Sequence, residues 1–385
     1  MISIWSFPTK IIFGAGAIEL IADTSRALGI KRPLIVSDQG IANSGLLPRL
    51  TNPFSGAGVS WAIFDRVEGN PTEASVFPGL DTYKAEHCDG LIAFGGGSAI
   101  DAAKAIRLKT THPLPLEDYD DLKNGSDKIN AAMPPLIAIP TTAGTGSEVG
   151  RSSVISLKST ARKTVIFSPH LIPNVAIEDP ELTLGLPSHI TAATGMDAMT
   201  HNLEAYLAKG YHPMCDAIAL RGVGIVNRHL RTAVRDGRNI EARTEMMAAS
   251  MMGAVAFQKG LGRVHSLAHP LSTVAGLHHG LTNAILLPHV MRFNVPSARE
   301  RLAEVAGALG VECRSLSPDQ AAHAAIAAIE KLNGDIGIPK RLRDVGVREE
   351  MIPIMVPKAM EDGCHLLNPR ETTAEDMENL YREAF

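Results

Sequence analysis

The segment "GLGRVHSLAHPLSTVAGLHHG" at 260–280 carries His265, His269, His278 and His279, four of the 14 histidines in a chain of 385 residues. Imidazole binds transition metals and titrates near neutrality, so this crowding points to metal binding or proton transfer. A single buried histidine needs no such purpose, because a hydrogen-bonded core histidine is common. Four in one apolar, glycine-flanked window need something to hold them. Upstream, "GMDAMTHNLEAY" sets Asp197 and His201 four residues apart in a helical pattern. That spacing puts a carboxylate and an imidazole on one helical face, a turn apart. Such a pair alone is compatible with a local hydrogen bond. Joined to the downstream window, it is half of a four-ligand site with mixed oxygen and nitrogen donors. His265 and His269 are also four apart, so spacing leaves open which two of the four downstream rings complete the set.

A second chemistry is written in two small-residue loops. In "LIAFGGGSAIDAAKAI" an apolar strand runs through Gly95, Gly96, Gly97 and Ser98 into a helix. Glycines let a phosphate approach the backbone, and the helix start offers free N–H groups and a positive dipole end. The spacing is neither GxGxxG nor a Walker loop. A purely structural turn is the competing reading, with Ser98 as cap and Asp101 completing a capping box. Lys104 reads as a surface helix residue. In "LIAIPTTAGTGSEV" a strand ends at Pro140, and Thr141, Thr142, Thr145 and Ser147 supply hydroxyls suited to phosphate and ribose. Asp38 closes the strand "PLIVSD", where dinucleotide folds bind the adenosine ribose; its charge would repel a 2′-phosphate, which favours NAD over NADP. Two such loops after successive strands predict a dinucleotide crevice.

The elements that must position these residues follow two grammars. "RPLIVSD", "VSWAIFD", "DGLIAFGGG" and "PPLIAIPTT" are short apolar runs bounded by turn residues, alternating with helical stretches such as "GAIELIADTSRALG". They predict parallel strands buried on both faces. After "AIEDPELTLGLPSH" the apolar spacing becomes helical throughout. The expected architecture is an α/β dinucleotide-binding domain with a Rossmann-like parallel sheet at 1–183, then an all-helical metal and substrate domain at 184–385.

Composition narrows the function classes. A formal net charge of −4 without a basic tract gives no support to nucleic-acid or anionic-membrane binding. Four scattered cysteines with no CxxC pair suit reduced thiols in the cytoplasm better than a disulfide framework. The start "MISIWSFPTKIIFG" does not read as a signal peptide, and no apolar run is long enough to span a bilayer. A soluble cytoplasmic protein is expected.

The stretches "GGGSAIDAAKAI", "IPTTAGTGSEV", "GMDAMTH", "VHSLAHPL" and "HHGLTNAILLPHVMRFN" closely resemble the iron-containing (group III) alcohol dehydrogenase family. The resemblance extends from "KIIFGAG" to "NPRETTAEDMENLYREAF". It implies a divalent metal, Fe(II) or in some members Zn(II), held by Asp197, His201, His265 and His279. It implies a proton-relay role for His269 beside nicotinamide and substrate, and a structural role for His278. On the cofactor side it supports Asp38, Gly96, Gly97, Ser98, Thr141, Thr142 and Thr145, and adds Asn70 and Lys163. Gly150 stands where many members have Thr. The implied activity is NAD-dependent interconversion of a small alcohol and its aldehyde or ketone, in a homodimer. Arg151, Lys259 and Arg263 flank these motifs and raise the idea of an acidic substrate such as an ω-hydroxy acid, against the simpler reading of surface charge. Dehydroquinate synthase and glycerol dehydrogenase relatives are rival readings, and a metal- or nucleotide-binding protein without catalysis is another.

Overall fold

The structure is a computed structural model that describes residues 9–157 and 162–385. The described residues divide into two compact units, one formed by 9–142, 146–157 and 162–185, the other by Ala143–Thr145 with Leu186–Phe385.

The first unit carries β1 (Lys10–Phe13), α1 (Ile21–Ala27), β2 (Pro33–Val36), α2 (Gln39–Ser44), α3 (Leu47–Gly56), β3 (Ala62–Phe64), α4 (Glu73–Ala85), β4 (Gly90–Gly95) and α5 (Gly97–Thr111). It continues with β5 (Leu136–Pro140), β6 (Ser152–Leu157), β7 (Arg162–Phe167) and β8 (Val175–Glu178). Six strands pair in parallel in the order β1-β8-β5-β4-β2-β3. The four apolar runs singled out in the sequence are β2, β3, β4 and β5. Of these, β2, β4 and β5 are buried at every residue, as strands covered on both faces must be. From β2 the chain steps outward to β3 and then returns to the other side of β2 as β4. Such a reversal opens a crevice at the carboxyl ends of the two strands, the usual ligand position in an open α/β sheet. Asp38 follows β2 there and Gly95 ends β4 there.

The β6–β7 ribbon is antiparallel and lies outside that sheet. It packs on α5 and covers the helix face that carries Asp101 and Lys104, with Ser153 Oγ donating to Asp101 O at 2.7 Å. Lys104 is therefore fully buried and not a surface residue. Ser98 does not cap α5 either: Gly96 is the N-cap, and Ser98 Oγ donates to Gly69 O at 2.7 Å.

Glu178 ends β8 with both carboxyl oxygens buried and without a hydrogen-bond partner among the described residues. Burial first, and then the charge of Glu148, pushes its pKa well above the usual carboxyl range. Burial likewise pushes Glu148 up, from 4.5 to about 7. Between its unfolded and folded pKa values, such a carboxyl holds its proton only in the fold. For Glu148 the favourable contribution is complete below pH 4.5 and is lost as pH rises through about 7, and Glu178 loses its own in the same direction. A Glu178→Met enzyme is expected to melt higher than wild type by roughly 3–6 °C at pH 8 and by less at pH 5. Thermal denaturation at the two pH values checks this; an equal shift at both would mean that the carboxyl is ionised in the fold throughout.

The second unit is helical: α6 (Ser188–Leu207), α7 (Pro213–Arg235), α8 (Ile240–Ala256), α9 (Arg263–Ala275), α10 (His279–Ala308), α11 (Pro318–Asp335), α12 (Ile352–Glu361) and α13 (Ala374–Ala384). α6 is its axis. Every residue from Thr191 to Leu207 is buried, and α7, α8 and α10 pack around it. α9 ends at Gly276, whose left-handed backbone (φ 67°, ψ 19°) turns the chain into α10 three residues later. No helix among the described residues is long and apolar enough to cross a membrane.

Candidate functional site

In the helical unit, α6 brings Asp197 and His201 to one face, α9 brings His265, and α10 begins on His279. One donor atom from each of Asp197, His265 and His279 lies within 4.8 Å of the others. His201 Nε2 is 3.8 Å from Asp197 Oδ1, and its ring stacks on His265 with centroids 4.8 Å apart. His279 Nε2 lies 3.7 Å from the same Asp197 oxygen. Thus three of the four candidate ligands share one cluster, and His201 adjoins it through Asp197 and the His265 ring. Their approach depends on Gly280, where a Cβ would stand 2.3 Å from Ala193 O and 3.1 Å from Asp197 Cβ. Glycine is what lets the start of α10 rest against α6.

The tautomers are set by what the other ring nitrogens do. His265 Nδ1 donates to Glu204 Oε2 at 2.6 Å, which leaves Nε2 bare; that atom is buried with no partner among the described residues. His201 Nδ1 donates to Gly144 O at 3.3 Å, leaving its Nε2 toward Asp197. A buried imidazole nitrogen with nothing to accept is costly unless a ligand completes it. The donor set of one carboxylate and three rings, two with Nε2 held unprotonated, fits a divalent ion. Burial lowers the His201 pKa, which favours the neutral ring that a ligand needs. For His265 burial acts the same way, but the hydrogen bond and charge of Glu204 outweigh it and raise the pKa.

His269 stacks on His279, with centroids 5.2 Å apart, but its Nδ1 donates to Asp362 Oδ2 at 2.7 Å. It stands beside the cluster with 15% of its side chain exposed, as a proton-carrying group must be. Burial works to raise the Asp362 pKa, yet the charge and hydrogen bond of His269 and the bond from Ser266 hold it well below the usual carboxylate range. His278 is exposed and precedes α10 as its N-cap.

In the α/β unit Asp38, Gly96, Gly97, Thr141 and Thr142 lie around the carboxyl ends of β2, β4 and β5. Asp38 Oδ1 accepts from Ile41 N at 3.0 Å, capping α2, while Oδ2 lies 3.3 Å from where a Gly95 Cβ would stand. Thr141 N donates to Gly95 O at 3.0 Å, and Thr142 Oγ1 is 3.5 Å from a Cβ built on Gly96. Gly96 and Gly97 open α5. Asn70 lies between two tethers, Gly69 O accepting from Ser98 and Pro71 O accepting from Ser156 N. Lys163 lies on β7 opposite Ser156, and its charge helps lower the Asp101 pKa, which burial raises overall. Thr145 groups with the helical unit, apart from the other candidates.

Comparison with known proteins shows the family. Residues 8–180 match the family model "Iron-containing alcohol dehydrogenase", and residues 191–385 match "Fe-containing alcohol dehydrogenase family, C-terminal". The chain belongs to the iron-containing alcohol dehydrogenase family. It is 42% identical to a 4-hydroxybutyrate dehydrogenase of Cupriavidus necator over 98% of each chain. The crystal structure of a 1,3-propanediol oxidoreductase superposes with a TM-score of 0.95 at 40% identity, covering 100% of both chains. That of a sulfoacetaldehyde reductase from Bifidobacterium kashiwanohense, in complex with NAD+, gives 0.89 at 31% identity, covering 100% of this chain and 99% of that one. This iron-containing alcohol dehydrogenase is accordingly an alcohol/aldehyde oxidoreductase.

Three residues of the dehydrogenase escaped the reading of its sequence. Glu204 sits on α6 three residues beyond His201, and both oxygens work: Oε1 accepts from Val264 N at 2.6 Å, and Oε2 from Gly262 N at 3.0 Å as well as from His265. Asn283, one turn into α10, donates to Asp197 Oδ1 at 2.8 Å and lies 3.2 Å from His279 Nε2. Helical spacing from the ligands was a signal for both. Asp362 had none, since 93 residues separate it from His269. The flanking cations differ from either reading given above. Arg263 is fully buried over the Phe293 ring, and Lys259 is buried against Asp216 Oδ1 at 2.5 Å, so neither is ordinary surface charge nor available to attract an acid. Arg151 lies over the Phe167 ring.

Proposed function

We propose that this enzyme interconverts a small primary alcohol and its aldehyde with NAD as hydride carrier, using Fe(II) held by Asp197, His201, His265 and His279. The convergence of Asp197, His265 and His279, with His201 adjoining them and the Nδ1 atoms of His201 and His265 committed elsewhere, is the observation that carries the proposal. When bound, the ion supplies Lewis-acid stabilisation of the alcohol oxygen and NAD supplies the hydride acceptor. The chain's own residues do the rest. Glu204 and the Gly144 carbonyl hold two rings in the metal-binding tautomer. Asn283 braces Asp197 beside His279. His269, oriented by Asp362, is partly exposed and moves the proton between the substrate oxygen and solvent. Asp38, Asn70, Gly96, Gly97, Ser98, Thr141, Thr142 and Lys163 hold the dinucleotide, and the charge of Asp38 disfavours a 2′-phosphate.

Engagement of Lys259 and Arg263 inside the helical unit favours a neutral diol or alcohol over an ω-hydroxy acid. Metal-stripped enzyme, restored anaerobically with Fe(II) or Zn(II), is to be assayed on 1,3-propanediol, ethanol and 4-hydroxybutyrate with NAD or NADP. The expected result is diol-dependent NADH formation, greatest with Fe(II) and abolished by chelation. Activity that survives stripping would end the metal proposal, and preference for 4-hydroxybutyrate would replace the neutral substrate. A homodimer is the proposed assembly, because β1 is an edge strand with Ile11 and Phe13 exposed. A monomeric mass by light scattering would discard it.

A further inference from the structure

Lys104 is a fully buried ammonium on the helix that opens with the glycine turn. Its Nζ donates to Ser147 O at 2.7 Å, Ser147 Oγ at 3.0 Å, Gly150 O at 3.0 Å and Ser152 O at 2.8 Å. One turn earlier, Asp101 Oδ1 accepts from Ser147 Oγ at 2.6 Å and Oδ2 from Val154 N at 3.2 Å. Every one of these contacts falls on residues 147–154, the stretch that leaves the threonine loop and enters β6. The loop's other end is tied to the glycine turn by the Thr141 N to Gly95 O bond. A buried charge that spends its hydrogen bonds on loop carbonyls fixes that loop more firmly than apolar packing would, because leaving any of the groups unmade is costly.

We propose that Lys104 and Asp101 are positioning residues for the cofactor: a buried clamp that holds the loop after β5 at a fixed spacing from the glycine turn before the dinucleotide arrives. This rests on the reading of the β2/β4 crevice as the NAD site. Neither residue touches the cofactor. The clamp acts by removing the ordering cost that binding would otherwise carry.

The test is a Lys104→Met enzyme, which keeps the side-chain length without the charge. Three measurements are made: NADH affinity by nicotinamide fluorescence, steady-state KM and kcat, and amide hydrogen exchange. The NADH dissociation constant and the KM for NAD are expected to rise roughly tenfold, with kcat at saturating NAD within about twofold of wild type. Exchange is expected to quicken within 147–154 and not across the α/β unit. A merely structural role would lower the melting temperature and leave the affinity of the folded enzyme unchanged. Equal NADH affinity in wild type and Lys104→Met enzyme therefore overturns this proposal alone. Failure of wild type to bind NADH overturns the crevice reading and this proposal with it. Should Lys104→Met not fold, Ser147→Ala removes the hydroxyl bridge between the two clamp residues; a roughly threefold weaker NADH affinity supports the clamp, and no change overturns it.

Discussion

A Gly280→Ala enzyme is expected to fold, to purify almost without metal, and to lose more than about a hundredfold of its kcat/KM. The added Cβ would sit 2.3 Å from the Ala193 carbonyl oxygen. That oxygen belongs to the backbone of α6, the most enclosed helix of the unit, so it cannot yield as a flexible side chain does. The start of α10 must move instead, and it carries His279. Asp197 Cβ, 3.1 Å from the new methyl, is displaced by the same event, so two ligands part at once. Gly334→Ala is the control, since a Cβ there meets nothing within 4 Å. Metal analysis after gel filtration, with circular dichroism to report the fold, decides the matter. Wild-type metal content in Gly280→Ala would show that α10 can begin elsewhere, and the account of the site would need another origin for its closeness.

Replacing Glu204 with Gln is expected to weaken metal affinity by roughly ten- to a hundredfold. The carboxylate accepts three N–H bonds, from Gly262, Val264 and His265, and a carboxamide has only one oxygen with which to do so. Whichever way the amide turns, its NH2 meets a donor. If it faces His265, that ring must accept on Nδ1 and carry its proton on Nε2, which blocks the atom a metal would take. Glu204→Ala leaves space in which water can accept from Nδ1, so it is expected to bind metal more tightly than Glu204→Gln. Competition against a buffered chelator measures both variants, and nitrogen NMR of labelled histidine in the metal-free enzyme reads the tautomer directly. The reverse order, with Gln close to wild type, would mean that shape and not proton placement is what Glu204 supplies.

Much of this molecule was legible along the chain because it is local. β2, β4 and β5 are apolar runs between turn residues, and a sheet covered on both faces asks for nothing else. Asp197 and His201 declare themselves by helical spacing. The choice among four downstream histidines was not local: the Gly276 turn and the close approach at Gly280 bring His279 to Asp197 and leave His278 exposed. Lys104 shows the opposite failure. Its helix has a polar face, and a polar face reads as solvent-facing unless one knows that the β6–β7 ribbon lies over it. Asp362 and the Gly144 carbonyl act across 93 and 57 residues, distances at which no periodicity connects a ring to its partner. Glu204 was within reach, seven positions after Asp197 on the same helical stripe.

α6 supplies two of the donors and the acid that orients a third, and it is enclosed from Thr191 to Leu207. Such a rod has no free end near the cluster from which to fray, and its neighbours hold it whether or not an ion is present. The packing of leucines, methionines and alanines thus positions the proposed ligands of α6. On the proposed ligand set, an ion is expected to depart and a different one to take its place without the chain having to refold.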